Sequence, residues 1–217
     1  ALDGSKIRSR KVINVDSEDE GVITVGCAGA VDIITSFPAD KKLVKGVKYK
    51  YLVEGLLGGH SGLDIHQERA NAGQIVARML LNASEKAEFN LVSINGGRAT
   101  NVILGKVEGE VIVAASDVKA FEDSIAASTE EIKAEYRTSD PGITVSLEAV
   151  GEVEEEAVGN VCQENFFKFV VACPVGVEHY SVELKGLVET SHSIGIIKIE
   201  EGRLITKSMA RSSVNSR

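Results

Sequence analysis

The order of segments along the 217-residue chain predicts an α+β fold, a ferredoxin-like β-α-β-β-α-β unit with an extended antiparallel sheet and a third helix. Three observations lead there. Alternating apolar runs at 44–57, 89–94, 101–115 and 143–150 read as strands. Two stretches of helical period, 65–84 and 117–138, fall between them in the split βαβ order. A third helical stretch, 154–172, then leads to paired runs at 187–200 and 203–212 around Glu201-Gly202, which read as a hairpin lengthening the sheet. Both helices of the unit are expected on one face of the sheet, leaving the other face or an edge free.

In chain order, 11–16 and 22–27 are short strand candidates around the charged turn Ser17-Glu18-Asp19-Glu20-Gly21. Asp16, Glu18, Asp19 and Glu20 could hold a cation, but their composition favours a solvated acidic hairpin. The run 28–37 alternates and is ended by Pro38. In the first helix Asp64 is the candidate N-cap, with Gln67 completing a capping box, and Ala72, Ile75, Val76, Met79 and Leu80 form the apolar stripe. Ser116 or Asp117 caps the second, whose stripe is Val118, Phe121, Ile125, Ile132 and Tyr136. The third carries Val158, Cys162, Phe166 (or Asn165) and Phe169, and stops at Cys173-Pro174 because the residue before proline avoids helical geometry. Residues 175–185 are weakly patterned.

Hydrophobic residues make up 43 % and charged residues 26 %, ordinary for a soluble globular chain. A net charge of −8 without a basic cluster disfavours nucleic-acid partners, which need phosphate neutralised. No apolar run reaches the roughly 20 residues that span a bilayer, so no membrane partner is expected. Cys27, Cys162 and Cys173 form no CxxC pair and fit reduced thiols in a cytoplasmic protein, with Cys162 in the core. The chain starts at Ala1 rather than Met and stops at Asn215-Ser216-Arg217, and a piece of a larger protein is expected.

The stretch Gly58-Gly59-His60-Ser61-Gly62-Leu63-Asp64-Ile65-His66 stands between a strand and a helix. Its glycines bring backbone close to whatever lies there and leave His60 with little side-chain cover, which makes His60 the leading functional candidate. The alternative is a glycine-rich turn with an incidental histidine. None of His60, His66, His179 and His192 forms HxH or HxxxH, and GxGxxG, P-loop and GxSxG patterns are absent. The chain alone therefore offers no complete catalytic set. Asn95-Gly96 reads as a hairpin turn leading to Asn101, whose amide can donate to a carbonyl oxygen or oxyanion. Arg211, near the end of the last strand, can hold a carboxylate in a bidentate manner. From the sequence alone a rim arginine is the favoured reading.

Four segments in order, VINVDSEDEG (12–21), GCAGAVD (26–32), GGHSGLDIH (58–66) and NGGRATNVI (95–103), and a tail from VETS (188–191) to ARSS (210–213), resemble the aminoacyl-histidine (Xaa-His) dipeptidases, cytosolic di-zinc exopeptidases related to carnosinase. The resemblance implies a two-domain enzyme with a catalytic domain holding two Zn²⁺ and an inserted ferredoxin-like lid that supports homodimer contact. By that likeness Asp16 is a metal ligand, His60 the lid histidine that meets the substrate carbonyl or oxyanion, Asn101 the lid asparagine near the substrate, and Arg211 the arginine for the substrate's free carboxylate. The family's upstream HxD, its paired Glu-Glu with the general base, and its late metal histidine are missing here. The expectation is a lid domain (41–213) with a catalytic-domain remnant (1–40) and a short tail (214–217), inactive by itself, binding no zinc of its own and completed by a dipeptide substrate in the parent. The competing expectation is a free-standing dimerisation or binding module.

Overall fold

The computed structural model describes residues 5, 8–11, 13, 20–23 and 26–216. Asp16 and most of the expected acidic hairpin lie outside these residues. The described part of the strand expected at 22–27 is not in a strand. Ten strands and three α-helices follow: β1 (Gly29–Pro38), β2 (Lys41–Glu54), β3 (Gly59–His60), α1 (Ala72–Ser84), β4 (Phe89–Gly96), β5 (Val102–Ile103), β6 (Val107–Val113), α2 (Val118–Glu135), β7 (Thr144–Val158), α3 (Asn160–Ala172), β8 (Gly176–Tyr180), β9 (Val188–Glu200) and β10 (Arg203–Ser212).

The main sheet runs β1-β10-β9-β4-β6-β2-β7, with β8 beside β9, and all its pairings are antiparallel. The segment β4-β6-β2-β7 with α1 and α2 is the expected ferredoxin-like unit. β9, β10 and β1 extend it, and the extension joins at only two register pairs, Asn95↔Lys198 and Gly96↔Ile197. β1 pairs with β10 along its whole length, from Gly29↔Ser212 to Pro38↔Arg203.

Strand alternation divides the sheet into two faces. On β2, Tyr49, Tyr51 and Val53 are buried toward the helices. Phe121 of α2 fills the space between the Tyr49 and Phe89 rings, 5.9 and 5.2 Å between centroids. Phe166 and Phe169 of α3 pack against Phe37 of β1. Burying a side chain such as Phe121 or Leu91 contributes about 2–3 kcal/mol each, so the aromatic seam under α2 and α3 anchors the helices. Lys48, on the opposite face of β2, bridges Glu110 of β6 and Glu155 of β7 at 2.9 and 2.6 Å, and its pKa is raised, first by the Glu155 bond.

Three expected elements change. The helix expected at 65–84 is a short 3-10 turn, Ile65–Gln67, then α1. Glu68 between them takes a left-handed φ of 53°, which stops the first turn. Asn71, not Asp64, caps α1, its Oδ1 accepting the Gly73 N–H at 3.0 Å while its Nδ2 donates to the Ile194 carbonyl at 2.8 Å. The strand expected at 101–115 is two, because the Leu104 carbonyl turns to accept the N–H of Ala72 and leaves the ladder. The third helix begins at Asn160 rather than 154. Residues 154–158 continue β7, where Glu154 lies in register with Lys45 and Glu155 pairs with Lys48, and the long β2 partner outweighs local helical spacing. The buried face of α3 is then Gln163, Phe166, Phe167 and Val170, and Cys162 is half-buried rather than core. Asp117 is the N-cap residue of α2 as expected, but it makes no side-chain capping bond: its Oδ2 accepts the Glu88 N–H instead, at 2.7 Å. Asn95-Gly96 is the end of β4, and the turn falls on Gly97 at φ +80°.

Candidate functional site

The stretch around His60 forms its own two-stranded ribbon, β3 with β5, in the register Gly59↔Ile103 and His60↔Val102. The Ser61 N–H donates to the Asn101 carbonyl at 2.9 Å, and Ser193 Oγ of β9 donates to the Val102 carbonyl at 3.1 Å. The main sheet thus carries the ribbon on β9. Asp140 closes it from the other side: buried, it accepts the N–H of Leu57 at 2.9 Å and of Ala70 at 2.7 Å, fixing the chain just before and just after the motif.

The His60 ring is oriented by its own loop. Its Nδ1 accepts the N–H of Gly62 at 3.2 Å and of Leu63 at 3.1 Å. A ring nitrogen that accepts from two backbone donors carries no proton, so in the neutral ring the proton sits on Nε2. Nε2–H is then a hydrogen-bond donor, the type of group that stabilises a carbonyl oxygen gaining negative charge.

Arg211 meets this ring at Gly62. A Cβ built on Gly62 would lie 3.1 Å from His60 Cε1, 3.2 Å from Arg211 Nε and 3.3 Å from Arg211 Cζ. Imidazole and guanidinium therefore both crowd the position where a side chain at 62 would begin. Arg211 Nε is buried and has no hydrogen-bond partner among the described residues. Of the residues singled out from sequence, His60, Asn101 and Arg211 come together here, from three separate parts of the chain. Asn101 enters through its backbone carbonyl, and its side chain is exposed. Asp16 lies outside the described residues.

Sequence reasoning missed Gly62 as a spacer, Asp140 and Ser193 as supports, and read Asp64 as a helix cap. Only the HSG triplet carried a local signal, since Asp140 is 70 or more residues from the groups it holds.

A cleft of about 530 Å³ lies between α3 and the β1-β10-β9 end of the sheet, with His192 and Arg211 both in its wall. His192 Nδ1 donates to the Pro174 carbonyl and stands 3.9 Å from Cys173 Sγ. Burial, followed by the Glu178 charge, pushes the Cys173 thiol pKa up, the opposite of an activated nucleophile. Among the described residues no group of three or more His, Cys, Asp or Glu side chains could hold a metal ion. Among the described residues no helix is long and apolar enough to cross a membrane.

Residues 51–140, from within β2 to just beyond α2, match the M20 peptidase dimerisation domain. The chain is 30 % identical over 217 residues to the cytosol non-specific dipeptidase of Escherichia coli K12, covering 99 % of this chain and 44 % of that protein. It superposes on the crystal structure of aminoacylhistidine dipeptidase from Vibrio alginolyticus with a TM-score of 0.86 at 29 % identity, covering 100 % of this chain and 44 % of that one. The chain thus spans less than half the length of either relative.

Proposed function

We propose that this chain is the lid portion of a cytoplasmic zinc metallo-dipeptidase acting on dipeptides such as Xaa-His, and that it supplies the substrate-facing donors rather than the water-activating ones. The observation that carries the reading is the meeting of His60 and Arg211 across Gly62. A dipeptide offers two matching groups, a scissile carbonyl and a free carboxylate a few bonds away. His60 Nε2–H donates to the carbonyl oxygen, and more strongly as that oxygen gains charge. The Arg211 guanidinium holds the carboxylate, which fixes the length and direction of the bound peptide. Asn101 lies at the rim, its backbone steadying the histidine loop and its exposed amide available to the peptide. In the full-length protein Asp16 joins the ligands of the two zinc ions. The HxD motif and the late metal histidine of the resembled family do not occur in this sequence, and on this reading the chain alone does not hydrolyse dipeptides. Sustained turnover of Xaa-His by the purified 217-residue chain with added Zn²⁺ would overturn that.

The test of the reading is Arg211→Ala in the full-length protein. KM should rise by about tenfold or more for a dipeptide with a free C-terminal carboxylate, consistent with the loss of a charged contact. The amidated peptide, which lacks the charge, should be turned over by both proteins equally. Equal losses on both substrates would remove Arg211 from carboxylate recognition. The matched dimerisation domain also favours a homodimer. Since β9 of the same chain already occupies the outer edge of β4, a partner copy would use another surface. Light scattering that finds only monomer at high concentration would refute the homodimer.

A further inference from the structure

The carboxylate of Asp64 and the guanidinium of Arg69 sit directly on the backbone that carries His60. Asp64 Oδ2 accepts the His60 N–H at 2.9 Å, and the Asp64 N–H donates to the His60 carbonyl at 2.9 Å, so both main-chain polar groups of His60 are engaged by one residue. Asp64 Oδ1 accepts from Gln67 Nε2 at 2.9 Å and faces Arg69 Nη2 at 3.6 Å. Arg69 in turn donates from Nη1 to the Gly58 carbonyl and from Nη2 to Gln67 Oε1 at 2.7 Å. The two charged groups occupy the place of a side chain at position 59: a Cβ on Gly59, at φ +136°, would lie 2.6 Å from Arg69 Nη1 and 2.6 Å from Asp64 Oδ2. Three consecutive residues, Gly58, Gly59 and His60, are therefore held by one carboxylate–guanidinium clamp.

We propose that Asp64, braced by Arg69 and Gln67, is the positioning residue for His60: it holds the loop in the one shape in which the Gly62 and Leu63 N–H groups reach Nδ1 and the ring proton is confined to Nε2. The inference rests on the reading of His60 as a substrate contact only for its consequence in catalysis. The clamp itself can be read without turnover. The hydrogen bonds of Asp64 to His60 go to its N–H and carbonyl, so it acts through the backbone. A relaxed loop loses the two bonds to Nδ1, and the neutral ring then exchanges between its two tautomers. A donor that is present only part of the time, and no longer aimed, stabilises the transition state less while substrate binding through Arg211 is unaffected.

The experiment has two arms. On the 217-residue chain, ¹⁵N NMR of the imidazole nitrogens should show His60 as a single Nε2–H tautomer. Asp64→Ala should convert it to an averaged mixture, and Asp64→Asn, which keeps an oxygen acceptor for the His60 N–H, should restore it. Hydrogen exchange at Leu91 and Val111 reports whether the core is intact. If Asp64→Ala unfolds the chain, Arg69→Ala is read in its place, with partial averaging expected. A His60 tautomer unchanged in a folded Asp64→Ala or Arg69→Ala chain overturns the proposal. In the full-length protein, Asp64→Ala should lower kcat by about tenfold to a hundredfold with KM held, and Asp64→Ala combined with His60→Ala should be no slower than His60→Ala alone. Additive losses overturn the positioning role. A His60→Ala protein with unchanged kcat would instead defeat the substrate-contact reading, and the NMR arm would still decide the clamp.

Discussion

Gly62→Ala probes the junction of the two groups proposed to meet the substrate with the smallest possible change. The added methyl would stand 3.1 Å from His60 Cε1 and 3.2 Å from Arg211 Nε, whereas ordinary contacts begin at 3.4 Å. Ring and guanidinium must each retreat by a few tenths of an ångström, and the Gly62 N–H bond to Nδ1 tilts as the ring moves. Misplacement of about 1 Å can cost about a hundredfold, so a fraction of that predicts a loss of about tenfold in kcat/KM, equivalent to about 1.4 kcal/mol of transition-state binding. Stability should move the other way or not at all. Gly62 does not have a positive φ, so alanine meets no backbone strain, and the stiffer unfolded chain favours folding by about 0.4–1 kcal/mol before the contact cost. The assay is steady-state hydrolysis by the full-length protein beside thermal unfolding of the same sample. Activity that falls while the melting temperature holds is the expected result. Unchanged kcat/KM would mean that His60 and Arg211 do not act on one ligand, and the reasoning from their proximity would fail.

Asp140→Ala leaves the Leu57 and Ala70 N–H groups without their acceptor in a buried place and should cost about 2–4 kcal/mol in urea unfolding. Arg78 donates to Glu135 at 2.7 Å and holds its carboxyl below the ordinary 4.5. Because the folded value is depressed, this contribution is fully present above pH 4.5 and is lost as the pH falls through the folded value; the pair is exposed enough that it should amount to less than about 1 kcal/mol, and Arg78→Met should flatten the stability profile below pH 4.5. Glu201 opens the β9–β10 turn at φ 50°, followed by Gly202 at φ 71°, and Glu201→Asn should stabilise the chain by about 0.5 kcal/mol in the same urea assay.

The ferredoxin-like unit was legible because alternation and helical spacing follow directly from which face each residue buries. Val53, Leu91 and Val111 are apolar for the same reason that they sit under α1 and α2. The errors came where a distant partner overrode a local pattern. Glu154 belongs to a strand because β2 pairs with it, in register at Lys45 more than a hundred residues earlier, and no local reading contains that fact. Asp64 looks like a helix cap until the His60 backbone claims its carboxylate. At the site, the GGHSG glycines mark a place of close approach beside His60, but Arg211, the other group near Gly62, comes from β10, and only the fold brings it there.

The role proposed for His60, a donor to the substrate carbonyl, can be tested directly. Steady-state kinetics of the full-length His60→Ala protein tests it: kcat should fall by about a hundredfold to a thousandfold with KM little changed, the signature of an interaction made in the transition state. A kcat equal to that of the unaltered protein, or a loss confined to KM, would contradict it.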